Sequence, residues 1–241
     1  MFVHLLFLIP GLILSTSWLY AQTSMIPAGD LSSRQQSIVR MASLAAIGDL
    51  ANLAPALNAG LDAGLTVNET REVLIHLYAY CGFPRSIRGL QTLMAVLEER
   101  KKRGITDLPG KAASPITSTL PKYERGKRIL DSLSGRPQNG PLTGYSALSP
   151  EIDTFLKEHL FADLFERDVL TYADRELTTI SVLTAIGGVE PMLQGHLGIC
   201  LNTGLTGMQL REAFGVMEKT IGKAKSDTGR MILERVVSSR R

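Results

Sequence analysis

The feature that most constrains how this chain folds is an internal repeat. Residues 44–74 (LAAIGDLANLAPALNAGLDAGLTVNETREVL) resemble residues 183–214 (LTAIGGVEPMLQGHLGICLNTGLTGMQLREAF), with the register shifted by one residue between the two copies. The matched positions carry a helix-ending glycine, a Gly-Leu-Thr turn and an Arg-Glu pair, at Gly48 and Gly187, 64–66 and 204–206, and 71–72 and 211–212. Duplicated helical units usually stack to share one core. The repeat therefore predicts two tandem units packed together.

The spacing of apolar residues predicts that the chain is all-α. Between residues 31 and 47 apolar side chains recur at helical spacing, at Ile38, Met41, Leu44, Ala45 and Ile47. No segment alternates apolar and polar residues convincingly over the length of a strand. We expect helices at 31–47, 50–63, 66–82, 85–103, 121–133 and 152–165, a linker at 104–121 and a loop at 134–149.

The repeat, the apolar start and the linker divide the chain into four parts. We expect a signal peptide at 1–21, a first repeat at 22–110, a linker with a lead-in helix at 111–145, and a second repeat at 146–241. Residues 2–14 are almost wholly apolar and a small-residue stretch follows, which is typical of a signal peptide cut after Ala21, although the usual positive side chain before the apolar run is missing. The apolar run is short for a membrane span, and an uncleaved anchor is the alternative. A cleaved signal predicts a periplasmic or secreted protein with no stable membrane partner.

Charge argues against a nucleic-acid partner. The formal net charge is only +3, and no Lys/Arg-rich stripe with interleaved aromatic residues is present. The most charged run, at residues 98–103 (EERKKR), is mixed in sign and indicates a solvated helix end. We therefore expect no nucleic-acid partner. The expected partner is a small-molecule substrate.

One stretch of the first repeat carries a pattern typical of acid/base chemistry. Glu72, His76 and Tyr80 are spaced four residues apart, which puts them on one face of a helix, with Glu69 beside them. A carboxylate one turn from an imidazole can orient the ring and tune its pKa. Pairs at this spacing are more often solvated surface pairs that only support the helix, and that reading stays open.

The two copies differ at the positions that matter for chemistry. Where the first repeat has His76 and Tyr80, the second has Val216 and Thr220. Conversely, the second repeat has His196 where the first has Ala56 or its neighbour. If the halves pack about a pseudo-two-fold axis, their parts could meet in one site. The alternative is that His196 is an ordinary satisfied or exposed histidine.

Cysteines and metal-ligand patterns are sparse. Cys81 and Cys200 could form a disulfide in an exported protein, but they lie in different halves and need not be close. There is no CxxC motif, and the histidines at 76, 159 and 196 lack metal-ligand spacing. We expect neither a metal nor a cofactor.

These residues carry a resemblance to the carboxymuconolactone decarboxylase / AhpD-like superfamily in a tandem form. The family pattern E-x-x-E-x-x-x-H-x-x-x-Y-x-G-x-P is matched by Glu69, Glu72, His76, Tyr80, Gly82 and Pro84. An earlier part of the pattern resembles residues 194–206, and Arg175 matches an arginine that opens the core helix. The resemblance implies an AhpD-like helical fold and an assembly of identical subunits. It also implies decarboxylation of γ-carboxymuconolactone, or peroxide reduction through a CxxC, a Glu and a His.

The first hypothesis is a cofactor-free decarboxylase acting on a small carboxylated lactone or related acid. In it, Glu72 orients His76 as the proton donor, and His196 polarises a carbonyl or assists proton transfer. Arg175 or Arg85 holds the substrate carboxylate, and Tyr80 lines the pocket, with Glu69 nearby. Arg85-Ser86-Ile87 stands where decarboxylases commonly have Ala-x-Asn.

Two other functions stay open. A redox protein would use Cys81 with Glu72 and His76, although the second cysteine of a CxxC is missing. A non-catalytic helical assembly or binding protein would have kept the fold and lost the chemistry, and it predicts that Glu72, His76 and His196 lie far apart.

Overall fold

The protein is described by a computed structural model that covers residues 29–240. Within that range it contains helices and no β-strand, which confirms the all-α prediction. The first repeat supplies four helices, α1 (Ser33–Ile47), α2 (Leu50–Asp62), α3 (Val67–His76) and α4 (Tyr78–Lys102). Ser32 caps α1 and Thr66 caps α3, each in a capping box that satisfies backbone N–H groups at the helix start.

A middle region joins the two repeats. It contains α5 (Lys122–Ser134), α6 (Tyr145–Leu148), α7 (Pro150–Phe155) and a π-helix (Leu156–Phe165). α5 packs along the π-helix at the glycine Gly126, where an added Cβ would lie 1.7 Å from the Lys157 carbonyl oxygen. The helix predicted at 152–165 is thus a short α-helix followed by a π-helix, and the predicted loop at 134–149 includes α6.

The second repeat follows the helix order of the first. Its helices are α8 (Tyr172–Ile186), α9 (Glu190–Asn202), α10 (Gly207–Ile221) and α11 (Lys223–Ser238). The last helix of each set is preceded or interrupted by a glycine with positive φ, Gly222 before α11 and Gly82 within α4. Four residues after each glycine, a serine donates to a carbonyl of the preceding helix. These bonds join Ser86 to Leu74 and Ser226 to Phe214.

The two sets of helices share one core. α1 packs directly against α8, so that the first helix of each set forms the centre of the molecule. α8 also contacts α3 and α4, and α1 contacts α10. Buried apolar side chains from both repeats, among them Ile38, Leu74, Leu177 and Phe214, belong to a single cluster. Each repeat therefore lays its central helix against the outer helices of the other.

The stretch that carries Glu72, His76 and Tyr80 is not one continuous helix. α3 ends at His76, and α4 begins at Tyr78 and is kinked at Gly82, whose φ of 81° and ψ of 162° are not helical. Glycine adopts this conformation because it has no Cβ to clash. Tyr80 consequently lies in a short helical turn between Leu77 and the kink.

Several predictions lie outside what the structure describes. The signal peptide at 1–21 falls outside residues 29–240, and the cleavage, the location, the repeat boundaries and the homo-oligomer all stay predictions. Within residues 29–240 no helix is both long and apolar enough to cross a membrane. Cys81 and Cys200 are both free thiols.

Candidate functional site

The chemistry-bearing residues of the two repeats meet where α3 and α4 pack against α8, and α9 joins them through the contact of His196 with Tyr80. Glu72 and His76 come from α3, and Tyr80 comes from the start of α4. Arg175 and Glu176 lie in the first turns of α8, and His196 lies in the middle of α9. The hydrogen bonds below link most of these side chains across the boundary between the repeats.

A buried ion cluster anchors one end of this group. Glu72 Oε1 accepts hydrogen bonds from Arg167 Nε at 2.7 Å and from Arg175 Nη2 at 2.8 Å, and its Oε2 accepts from Arg167 Nη2 at 2.9 Å. Burial alone would raise the pKa of Glu72, but the two guanidinium groups outweigh it and lower that pKa. Glu72 is therefore ionised, and it is bonded to arginines rather than to His76.

His76 is fully buried, and both of its ring nitrogens have a partner. Arg175 Nη1 lies 3.3 Å from Nδ1, and Thr179 Oγ1 lies 3.0 Å from Nε2. Burial lowers the pKa of His76 well below its usual value, and the charges of Arg175 and His196 lower it further. Because a guanidinium can only donate, Nδ1 accepts and the ring proton lies on Nε2, towards Thr179. His76 is a neutral, internally bonded ring.

Tyr80 connects this buried region to the second histidine. Thr179 Oγ1 lies 3.1 Å from Tyr80 Oη and 3.0 Å from the Arg175 carbonyl oxygen, so its hydroxyl has two neighbouring acceptors for a single proton. The Tyr80 ring centroid lies 5.6 Å from that of His76 and 5.8 Å from that of His196. Burial and the nearby Glu176 carboxylate raise the pKa of Tyr80 well above its usual value. The phenol thus keeps its proton at neutral pH.

His196 and Glu176 form a carboxylate–imidazole pair. His196 Nδ1 lies 2.9 Å from Glu176 Oε2, and Glu176 is completely buried while the His196 side chain is 14% exposed. Among residues 29–240, no hydrogen-bond partner is found for His196 Nε2 or for Glu176 Oε1. Such a pairing fixes the tautomer, because Nδ1 carries the proton that is donated to the carboxylate. Nε2 is then left available to exchange a proton.

A cleft of about 510 Å³ opens beside Tyr80. Its walls come from both repeats, and they consist of Ala46, Ile47, Tyr80, Cys81, Arg85, Ala185, Ile186 and Lys225. This volume is within the range of pockets that bind small molecules. Burial raises the pKa of the Cys81 thiol to about 11, partly offset by the charge of Arg85.

Two predicted substrate-binding residues have other roles in this geometry. Arg175 is fully buried and donates to Glu72 and to the Arg167 carbonyl, so its charge is used within the protein. Glu69 accepts hydrogen bonds from Thr66 and Arg34 at the start of α3, outside the His76–His196 group. Arg85 is exposed at the cleft. The part of the chain that the structure describes contains no group of His, Cys, Asp and Glu side chains suited to a metal ion.

Three residues of the site escaped the sequence reasoning. Glu176 directly follows Arg175, and a signal for it existed, since a carboxylate in the core helix needs a partner. Thr179 lies one turn after Arg175 and could have been placed on the same face. Arg167 lies before α8, outside the matched segments, and nothing in its sequence neighbourhood indicates that it reaches Glu72.

Comparison with known proteins identifies the family. The sequence model of the carboxymuconolactone decarboxylase family matches residues 16–93 and 150–234. The chain belongs to this family. The two matched regions contain the two sides of the site, with Glu72, His76 and Tyr80 in the first and Arg175, Glu176 and His196 in the second.

The family also includes a curated relative. The chain is 28% identical over 92 residues to the 4-carboxymuconolactone decarboxylase of Acinetobacter baylyi, and the match covers 38% of this chain and 68% of the relative. The match therefore supports the family and leaves this chain's own reaction to be proposed from its site.

Proposed function

We propose that this member of the carboxymuconolactone decarboxylase family is a cofactor-free carboxy-lyase that acts on a small carboxylated lactone or a related acid. The observation that carries the proposal is the His196–Glu176 pair, whose imidazole contacts the ring of Tyr80, a residue that lines the cleft. The name and the partial identity of the Acinetobacter relative support the choice of reaction.

The reaction needs a place for negative charge and a source for one proton. The bond between the carboxylate carbon and its neighbour breaks, CO₂ leaves, and the electron pair passes into the conjugated carbonyl as an enolate. Tyr80 keeps its phenolic proton and can donate it as a hydrogen bond to the oxygen where charge develops. His196, protonated from solvent, then gives the proton on Nε2 to carbon.

Glu176 suits His196 to that role. A buried carboxylate on Nδ1 holds the ring in one orientation and leaves Nε2 without a partner in the part of the chain that the structure describes. His196 is also the more accessible of the two histidines, since its side chain is 14% exposed while His76 is fully buried. We therefore assign proton transfer to His196, and we assign His76 to positioning Thr179 and, through it, Tyr80.

Arg85 is the candidate for holding the substrate. Its side chain is exposed at the cleft, and no ion-pair partner is found for it among residues 29–240. A guanidinium can bond both oxygens of one carboxylate. Binding one acid group at Arg85 would orient the substrate against Tyr80.

The test is CO₂ release by the purified chain, with 4-carboxymuconolactone as the first substrate. We expect release by the unmodified protein and a loss of about 10²–10⁴-fold in the His196→Ala variant, which is the usual contribution of a general acid or base. The matched control is His159→Ala, because His159 also bonds a carboxylate, Asp163, but lies outside the site. Equal losses in the two variants, or no release from this or related lactone acids, would overturn the proposal.

A further inference from the structure

The cleft beside Tyr80 has an internal symmetry that its proposed function does not use. Six of its eight lining residues form three pairs related by the repeat, namely Ala46 with Ala185, Ile47 with Ile186, and Arg85 with Lys225. The ends of α1 and α8 supply the first two pairs, and the first turns after Gly82 and Gly222 supply the cations. The cleft thus lies on the boundary where the two repeats meet.

The charged side chains that line the cleft are positive on both sides. The lining contains two cationic side chains and no carboxylate. Lys225 donates to the Ala185 carbonyl, which occupies one of its three N–H donors. No ion-pair partner for Lys225 or Arg85 is found among residues 29–240. Two positive charges in a concave surface attract anions more strongly than the same charges on a flat one.

The neighbouring cations on α11 do not share this property. Lys223 pairs with Asp227, and Arg230 pairs with Glu218 and Asp227. Lys225 lies between them in sequence, yet it faces the cleft. Lys225 therefore keeps N–H donors that a ligand in the cleft can accept.

We propose that Lys225 is a second carboxylate-binding residue of this cleft: Arg85 holds one acid group of a diacid such as 4-carboxymuconolactone and Lys225 holds the other, so that each repeat contributes one end of the clamp. That this diacid is the substrate rests on the proposed function, whereas the binding of a diacid in the cleft does not. Lys225 is then a residue that determines specificity, because a ligand with one acid group can engage only one of the two cations.

The experiment is calorimetric titration of the full chain with unbranched dicarboxylates from malonate to pimelate, beside monocarboxylates of equal length. We expect one preferred chain length, at which the diacid binds roughly tenfold or more tightly than the monoacid, as a second charged hydrogen bond implies. Arg85→Gln and Lys225→Gln should each reduce the diacid to the affinity of the monoacid. The control is Lys223→Gln, two residues from Lys225 and outside the lining, which should leave binding unchanged.

The outcomes separate the two proposals. Equal affinity for diacids and monoacids at every length would overturn the clamp. A loss of diacid affinity in Arg85→Gln with none in Lys225→Gln would also overturn it, and would show that Arg85 binds a single carboxylate. Selective diacid binding without CO₂ release from any lactone acid would support the clamp and refute the decarboxylase. General weakening in Lys223→Gln would show a surface-charge effect and also overturn the clamp.

Discussion

Glu72 of the first repeat and Glu212 of the second occupy matching places, yet they contact different partners. Glu72 is buried between Arg167 and Arg175. Glu212 accepts instead from the Gln36 side chain at 2.9 Å and from the Leu31 backbone N–H. Gln36 is the repeat counterpart of Arg175. The crossing of α3 with α8 is therefore held by charged groups, and the matching crossing of α10 with α1 is held by neutral donors.

The difference continues along both crossings. Beyond Glu72 lie His76, Tyr80, Glu176 and His196; the matching positions beyond Glu212 carry Val216, Thr220, Ser37 and Ala56. One crossing thus has a connected set of titratable groups, and the other has mostly small, apolar or neutral side chains. A duplicated fold needs the packing twice, but a reaction needs its charged groups only once.

The largest effect that would sharpen this comparison is expected at Glu176. Glu176→Gln removes the carboxylate charge that faces His196 Nδ1 and orients the ring, so kcat for CO₂ release should fall by about 10²-fold or more. Because Glu176 acts through His196, the pH profile of kcat should also shift. Asp163→Asn, which alters the His159 pair at the surface, is the matched control. An unchanged pH profile would mean that Glu176 is only structural.

The next effect concerns stability at the two matching glutamates. Glu72→Gln leaves the buried charge of Arg175 without its partner, and breaking such a pair costs about 3–5 kcal/mol of unfolding free energy. Glu212→Gln replaces a group bonded to neutral donors, and it should cost about 1 kcal/mol or less. Urea unfolding of both variants measures the two costs. Similar losses would contradict the assignment of a charged and a neutral crossing.

His76→Val makes the first crossing resemble the second and tests the buried histidine. Burial lowers the pKa of His76 in the folded state, so below pH 6.5 the unfolded chain takes up a proton that the folded chain does not. The stability contribution is present above that pH and is lost as the pH falls, by up to about 1.4 kcal/mol per pH unit. Unfolding curves between pH 5 and 7 should show this slope in the unmodified protein and a smaller one in the variant. Identical slopes would show that His76 is protonated in the folded state.

The smallest effect is expected at Cys81, whose counterpart is Ile221. A thiol with a pKa of about 11 is roughly one part in a thousand thiolate at pH 8, so alkylation should be slow and should keep accelerating above that pH. Iodoacetamide labelling followed by mass spectrometry measures the rate, and Cys81→Ser identifies the contribution of Cys200. Rapid labelling at neutral pH would revive the redox hypothesis.

The sequence predicted the fold better than the site. Helical spacing and the glycines at 48 and 187 were local signals, and the duplication already implied that the halves pack together. The spacing of Glu72 and His76 suggested that they pair, but a shared helix face does not determine which partner a side chain chooses. Arg167 and Arg175 outcompete His76 for Glu72 because a buried carboxylate is stabilised most by full positive charges. Those partners are about a hundred residues away, and their meeting depends on the packing of the repeats.

The most direct measurement compares the two histidines in one assay of CO₂ release at pH 7, with folding checked by circular dichroism. We predict that His196→Ala loses about 10²-fold or more in kcat, whereas His76→Val, which affects only the positioning of Thr179 and Tyr80, loses about tenfold. If His76→Val abolished release while His196→Ala remained active, the proton donor would be His76, and the account of His196 with Glu176 as the reactive pair would be wrong.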